Sequence, residues 1–228
     1  VRILVSFIFT KAFKVVYKNQ IAKSKESVPH VEMKIGICTL RIGDEYKKIT
    51  NTTHINKLNY CDIHGYDFID DESVYTKTEY SKPIPWYKLK LIEKYLEFYD
   101  YLVWIDADII IMDQSKTIES LIEEYPANIV CGSDWKMTNT GFLVIKNTEW
   151  SLKFIEEVWH NIYDPYDDPN ERYLNWEQGS FINLHDRNFM NCRDNNNIII
   201  TSPTVMNSYW YNYFYGHFVI HFAFVRNE

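Results

Sequence analysis

The sequence is short of cysteine, of basic charge relative to acidic charge, and of long apolar runs, and each shortage removes a class of function. Its four cysteines, Cys38, Cys61, Cys131 and Cys192, lie far apart and form no CxxC pair. Neither a zinc site nor a dithiol redox motif is therefore encoded, and buried free thiols are the expected state of all four. Acidic residues outnumber basic ones, 31 to 24, for a formal net charge of −7. That argues against a nucleic-acid partner, which would require a basic face to neutralise phosphates. A phosphate-bearing ligand would need a metal or a local cation instead. No apolar stretch reaches the roughly 18 residues of a membrane-spanning helix. The nearest, Val1 to Thr10, meets Lys11 and Lys14 first and reads as a helix or strand outside the core domain rather than as a trimmed anchor.

What the chain does hold is apolar and aromatic mass. Hydrophobic residues make up 46 % and aromatics 17 %, with 18 Tyr and 7 Trp, which is a globular and not a disordered composition. Such rings build cores first, and those with polar tips also suit sugar faces and nucleobases. At 228 residues the chain fits one domain, since a single core grows to about 250 residues before splitting. Residues 1 to 32 differ in character from the rest of the chain and read as an N-terminal appendage; residues 33 to 228 read as the single main domain.

From Met33 onward strands and helices alternate. Ile35 to Leu40 is an apolar run of strand length, Glu45 to His64 a polar helical stretch, and Tyr66 to Ile69 a second strand. Beyond Pro83 and Pro85, the residues Leu89, Ile92, Leu96 and Tyr99 fall at helical spacing, and Tyr101 to Ile105 is again a strand. Ser115 to Tyr125 reads as a helix, and Asn128 to Cys131 and Gly141 to Ile145 as strands. Trp150, Phe154, Ile155, Val158, Trp159 and Ile162 form one helical face. The alternation predicts an α/β fold, an αβα sandwich around a mainly parallel sheet, with ligands bound at the carboxyl ends of its strands.

One such end is conspicuous. Tyr101-Leu102-Val103-Trp104-Ile105 runs straight into Asp106-Ala107-Asp108. Charge is costly at the end of a buried strand. Residues i and i+2 share a side while the strand lasts, so two carboxylates there can converge on one hard cation. Solvated acids at a strand end are the alternative, because D-x-D is a frequent tripeptide. The apolar Ile109-Ile110-Ile111-Met112 next in the chain favours the metal, since surface acids rarely sit inside so apolar a run.

Around this tripeptide the sequence resembles glycosyltransferase family 34, the galactosyl, mannosyl and xylosyl transferases of fungal mannan and plant xyloglucan. The resemblance is carried by Tyr60-Cys61-Asp62-Ile63-His64-Gly65-Tyr66-Asp67, Lys82-Pro83, Trp86-Tyr87-Lys88 and Leu102 to Asp108. It continues through Asn139-Thr140-Gly141-Phe142, Trp176-Glu177-Gln178 and Phe218-Val219-Ile220-His221-Phe222-Ala223. These segments run from about Met33 to Ala223, and their order and spacing are specific together where each alone is not.

The resemblance implies a GT-A fold, the Rossmann-like sandwich of nucleotide-diphospho-sugar transferases, and a divalent cation, Mn2+ or Mg2+. It also implies a nucleotide-sugar donor such as UDP-xylose, UDP-galactose or GDP-mannose, a glycan acceptor, and retention of anomeric configuration. On it, Asp106, Asp108 and His221 hold the metal. Asn139, Thr140 and Gly141 lie near the sugar, where Gly141 allows close backbone approach and Asn139 offers donors and acceptors. Gln178 steadies a developing oxocarbenium ion through its carbonyl, with Glu177 as the nucleophile of a second-ranked double displacement. Lys88 reaches a donor phosphate, and Thr39 and Arg41 after the first strand flank base and ribose. Trp135, Tyr209 and Trp210 are candidates for an acceptor wall, with core packing the commoner fate of any one ring.

The family's usual setting is the Golgi lumen behind an N-terminal anchor, and membrane association here would need an anchor that these residues do not complete. One departure stands out: the family follows its histidine and small residue with Gly, whereas here Ala223 precedes Phe224. The expectation is that the C-terminal part of the site is altered or cut off. Two other readings stay open: a related GT-A enzyme of the glycogenin or lipopolysaccharide galactosyltransferase type, and a non-catalytic carbohydrate-binding relative.

Overall fold

A computed structural model describes residues 33–75, 82–161 and 176–223. The appendage 1–32, Ile162 of the amphipathic face, and Phe224 lie outside these residues. Strand β1 (Ile35–Thr39) leads into two helices, α1 (Asp44–Ile49) and α2 (Asn51–His64). The polar stretch that reads as one helix thus breaks at Thr50. Gly65 then ends α2 in the left-handed conformation (φ 77°), a helix stop that glycine takes without steric cost. Strand β2 (Asp67–Asp70), helix α3 (Tyr87–Tyr95) and strand β3 (Tyr101–Ile105) come next, then β4 (Ile109–Ile111) and α4 (Ile118–Glu124).

The second half holds β5 (Ile129–Ser133), β6 (Thr138–Lys146), α5 (Glu149–His160), α6 (Glu177–Asp186), β7 (Ile198–Ile200), α7 (Pro203–Met206) and β8 (Val219–His221). Helices α4 and α5 start on threonine caps: Thr117 and Thr148 accept from the backbone N–H groups of Ser120 and Ser151, each at 3.1 Å. Such caps are worth about 1 kcal/mol each.

The main sheet has the order β2-β1-β3-β6-β5-β7. Strand β6 is antiparallel to both its neighbours, and the remaining pairs are parallel. The sequence pattern puts the start of this strand at Gly141, whereas β6 begins at Thr138, so Asn139, Thr140 and Gly141 lie inside it. Both faces of the sheet are covered. Leu102 and Trp104 of β3, with Leu143 and Ile145 of β6, pack with α3, α5 and α6. Val103, Ile105, Phe142 and Val144 pack with α2, α4 and the β4–β8 ribbon. This two-sided burial is why β3 reads as an unbroken apolar run.

The described residues from Lys34 onward belong to one compact unit. All four cysteines are free and buried, as their spacing implied. No helix among the described residues is long and apolar enough to cross a membrane.

Two features of this topology position a site. The connections from β1 diverge, β2 lying on one side of it and β3 on the other, which opens a crevice at the carboxyl ends of β1 and β3. Strand β6 runs the opposite way, so its early residues reach the same edge: Ile105 pairs with Phe142, and Asp106 N donates to Gly141 O at 2.7 Å.

Candidate functional site

Asp106, Asp108 and His221 meet at that edge, with one ligand atom from each lying within 4.8 Å of the others. The short ribbon delivers the third member, because Ile109 of β4 pairs directly with His221 of β8. His221 Nε2 stands 3.3 Å from Asp108 Oδ1 and 3.9 Å from Asp106 Oδ2. The ring is oriented from behind. Asn207 gives its amide N–H to Ser133 O at 3.1 Å, which turns its carbonyl oxygen toward His221 Nδ1 at 2.6 Å. A carbonyl only accepts, so Nδ1 carries the hydrogen and Nε2 is left to face the carboxylates.

Gly141 leaves the room the cluster needs. A Cβ there would come within 2.7 Å of His221 Cε1, 2.8 Å of Asn139 Oδ1 and 3.0 Å of Asp106 Oδ2. Two hard carboxylates and an oriented imidazole nitrogen are a donor set that fits Mn2+ or a similar divalent cation.

Asp106 is also held directly. Its Oδ1 accepts from Trp104 Nε1 at 2.6 Å and from Lys88 Nζ at 3.3 Å. Lys88 is 4 % exposed, and its ammonium also meets Glu177 Oε1 at 2.7 Å and Thr140 O at 3.3 Å. Burial works to lower its pKa, but the carboxylates of Asp106 and Glu177 outweigh burial and hold it above the ordinary value. Lys88 is thus turned inward and shared between two acids rather than standing on a solvated helix face. Beside Asp108, burial works to raise the carboxyl, while hydrogen bonding and charge from His221 keep it below the usual range.

Strand β6 and helix α6 join the cluster through Thr140. Its N–H donates to Gln178 Oε1 at 3.1 Å and its hydroxyl to Glu177 Oε1 at 3.1 Å, while Asn139 Oδ1 accepts from Gly141 N at 2.9 Å. Glu177 is 3 % exposed. Thr39 and Arg41 form a separate group at the end of β1. The Thr39 hydroxyl is buried without a hydrogen-bond partner. Arg41 places Nε and Nη2 on Asp70 Oδ2 at 2.8 and 2.6 Å and lies against His54.

Of the three aromatic candidates, Trp135 and Trp210 are exposed, at 68 % and 59 %. Tyr209 is core: it is buried, donates to Asp134 Oδ2 at 3.1 Å, and sets its ring 5.9 Å from that of His221. Tyr211 and Phe214, which sequence reading passes over, are exposed on the same loop as Trp210.

Sequence reading also misses Asn207 and Lys57. Nothing in the local sequence marks Asn207. Lys57 is fully buried on α2, its Nζ donating to Ala107 O at 3.2 Å and Ile109 O at 2.7 Å. Burial lowers its pKa to about 7, against the pull of Asp108 and Asp106.

Known proteins resemble this chain in sequence and in fold. Residues 31–126 match the family model of the galactosyl transferase GMA12/MNN10 family. A probable xyloglucan 6-xylosyltransferase of Arabidopsis thaliana is 28 % identical over 134 residues, covering 52 % of this chain and 27 % of that protein. A galactomannan galactosyltransferase of Cyamopsis tetragonoloba is 24 % identical over 115 residues, covering 46 % and 26 %. The chain therefore spans only about a quarter of the length of the curated relatives it matches. Among solved structures, a glycosyltransferase involved in glycosylation of the major capsid of PBCV-1 superposes with a TM-score of 0.66 at 18 % identity. That superposition covers 85 % of this chain and 94 % of that one.

Proposed function

We propose that the chain, which has the GT-A fold, is a member of the galactosyl transferase GMA12/MNN10 family, glycosyltransferase family 34, whose model residues 31–126 match, and that it moves a sugar from a nucleotide-sugar donor to a glycan acceptor. The reading includes dependence on a divalent cation, with Mn2+ first, and retention of anomeric configuration. The observation that carries it is the convergence of Asp106, Asp108 and His221, whose ring Asn207 orients. These three residues would hold the cation, which when bound supplies positive charge to the diphosphate leaving group.

The protein's own groups supply the rest. The Gln178 carbonyl accepts from Thr140 N–H, and it is the group proposed to face the anomeric carbon. Asn139 and Thr140 line the same edge, and the unpartnered Thr39 hydroxyl with Arg41 would receive the nucleoside end. Glu177 is buried and engaged by Lys88 and Thr140 through the same oxygen. That supports front-face transfer, with the leaving phosphate assisting deprotonation of the acceptor, over a double displacement through Glu177. Lys88, shared between Asp106 and Glu177, ties the metal edge to helix α6 and keeps its charge near the diphosphate.

The decisive assay is release of nucleoside diphosphate from UDP-xylose, UDP-galactose and GDP-mannose, with Mn2+ and with chelator. We expect release from at least one donor, and only with the cation. A chain inert toward all three would instead be a carbohydrate-binding relative.

The acceptor side rests on the exposed loop beyond Tyr209. Trp210, Tyr211 and Phe214 present 59 %, 64 % and 72 % of their surface, next to a residue whose ring packs near His221. Planar rings beside a donor site suit a sugar face. Replacing Trp210 and Tyr211 together by Ala is expected to raise the acceptor KM about tenfold, the equivalent of about 1.4 kcal/mol, while donor hydrolysis is unchanged. An unaltered acceptor KM would place the acceptor elsewhere.

A further inference from the structure

One stripe of α2 supplies polar groups to the Asp106-to-Asp108 turn and to the chain just beyond it. Thr53 Oγ1 donates to Ala107 O at 2.5 Å. Lys57 Nζ spans Ala107 O and Ile109 O, and its remaining contact is Thr53 O at 3.5 Å. Asn56 pairs with both backbone groups of Ile111, at 2.9 and 2.8 Å, and Tyr60 donates to Lys116 O at 2.6 Å. Positions 53, 56, 57 and 60 share one helix face. Two further backbone carbonyls of the turn are paired: Ile109 N donates to Asp106 O, and Phe222 N to Asp108 O, each at 3.1 Å.

The two metal-site acids are held differently. Trp104 and Lys88 grip the Asp106 carboxylate itself. The Asp108 carboxylate meets His221 at 3.3 Å, and the backbone sets the rest of its aim. That backbone is clamped at the carbonyls on either side of Asp108, those of Ala107 and Ile109, by a fully buried lysine.

We propose that Lys57 and Thr53 are positioning residues that fix the direction of the Asp108 carboxylate by clamping the peptide carbonyls that flank it. The inference rests on the reading of Asp106, Asp108 and His221 as a cation site. It has a distinctive sign. If Lys57 acted only as a nearby positive charge, its removal would tighten binding of a divalent cation. If it positions Asp108, its removal weakens that binding, as loss of outer-shell partners does by about 10- to 100-fold.

The test is Mn2+ binding to the 228-residue chain, measured by electron paramagnetic resonance of the free ion, with thermal unfolding of the metal-free protein alongside. Lys57→Met and Thr53→Val are compared with Tyr60→Phe, which removes a bond from the same stripe away from Asp108. Lys57→Met and Thr53→Val are expected to raise the Mn2+ dissociation constant by about 10- to 100-fold, and Tyr60→Phe to leave it unmoved. Thr53→Val changes no charge and carries the test if Lys57→Met does not fold. A merely structural role would lower all three unfolding temperatures and leave Mn2+ binding unmoved, which overturns the inference alone, as would tighter binding by Lys57→Met with Thr53→Val unchanged. A wild-type chain that takes up no Mn2+ overturns the cation site itself, and the inference with it.

Discussion

Asp108→Asn is expected to abolish cation-dependent turnover while leaving the fold in place. The amide has the shape of the carboxylate, and the backbone bond of Asp108 to Phe222 N does not involve the side chain. What changes is the ligand. An amide oxygen carries no net charge, and the site loses one of its two anionic donors for a hard cation. Outer-shell changes at metal sites cost about 10- to 100-fold, so loss of a direct ligand should cost more than about a hundredfold in kcat/KM for donor hydrolysis. Asp106→Asn should reach at least the same loss, because it also weakens the hold on Lys88. The check is nucleoside diphosphate release against Mn2+ concentration, with circular dichroism to confirm folding. Turnover near wild type in both variants would refute the metal assignment.

The second large effect is on stability. Lys88 and Glu177 are both almost wholly buried and lie 2.7 Å apart, and the second oxygen of Glu177 has no hydrogen-bond partner. Removing one member of such a pair leaves the other charge without compensation in a dry site, at a cost of about 3–5 kcal/mol. Against a total stability of about 5–15 kcal/mol for a domain, Lys88→Met should stand near the edge of folding. The double variant Lys88→Met, Glu177→Gln should recover part of the loss, because no orphaned carboxylate remains at position 177. Urea unfolding of the wild type, both single variants and the double variant measures this as a coupling of about 0.5–3 kcal/mol. Additive losses would mean that solvent reaches the pair.

The parts of this molecule that local pattern dictates are legible in the sequence. Strand β3 is delimited at Tyr101 and Ile105, because an apolar run buried on both faces ends abruptly at charge. The inward face of α5 emerges from helical spacing, as do Leu89 and Ile92 of α3, but that helix ends at Tyr95, a short 3-10 turn takes in Leu96, and Tyr99 is already extended. The elements that local pattern misjudges are those whose residues answer to distant neighbours. Asn139-Thr140-Gly141 has turn composition and resembles the approach to a strand. It lies inside β6, paired to β5 at Gly132 and Ser133, and Gly141 makes room there for His221, a residue far along the chain; a glycine within a strand often marks such close approach.

Helix α2 is the clearest example. Its inward side carries a fully enclosed Lys57 beside Tyr60 and Cys61, while Ile55, Leu58 and Ile63 are exposed at 47 %, 39 % and 45 %. A lysine in a polar helix reads as solvated because burying an unpaired charge is costly. Only the carbonyls of a turn about fifty residues later offset that cost. The signal available in the sequence is the polar repeat at 53, 56, 57, 60 and 64, opposite apolar residues that no amphipathic helix would turn outward without reason.

The β4–β8 ribbon has a consequence for how the site comes together and how it stays together. Three residue pairs carry β8 onto β4, and through them segments from opposite halves of the chain share one cluster. Contacts so distant along the chain form late in folding, after their loop-closure entropy has been met, and a ribbon this short belongs to the part of a fold that opens at low free energy. A cation gripped by Asp106, Asp108 and His221 would bridge both strands at their shared end. It would act as a reversible clip across a very long loop, the geometry in which a cross-link restricts the unfolded chain most.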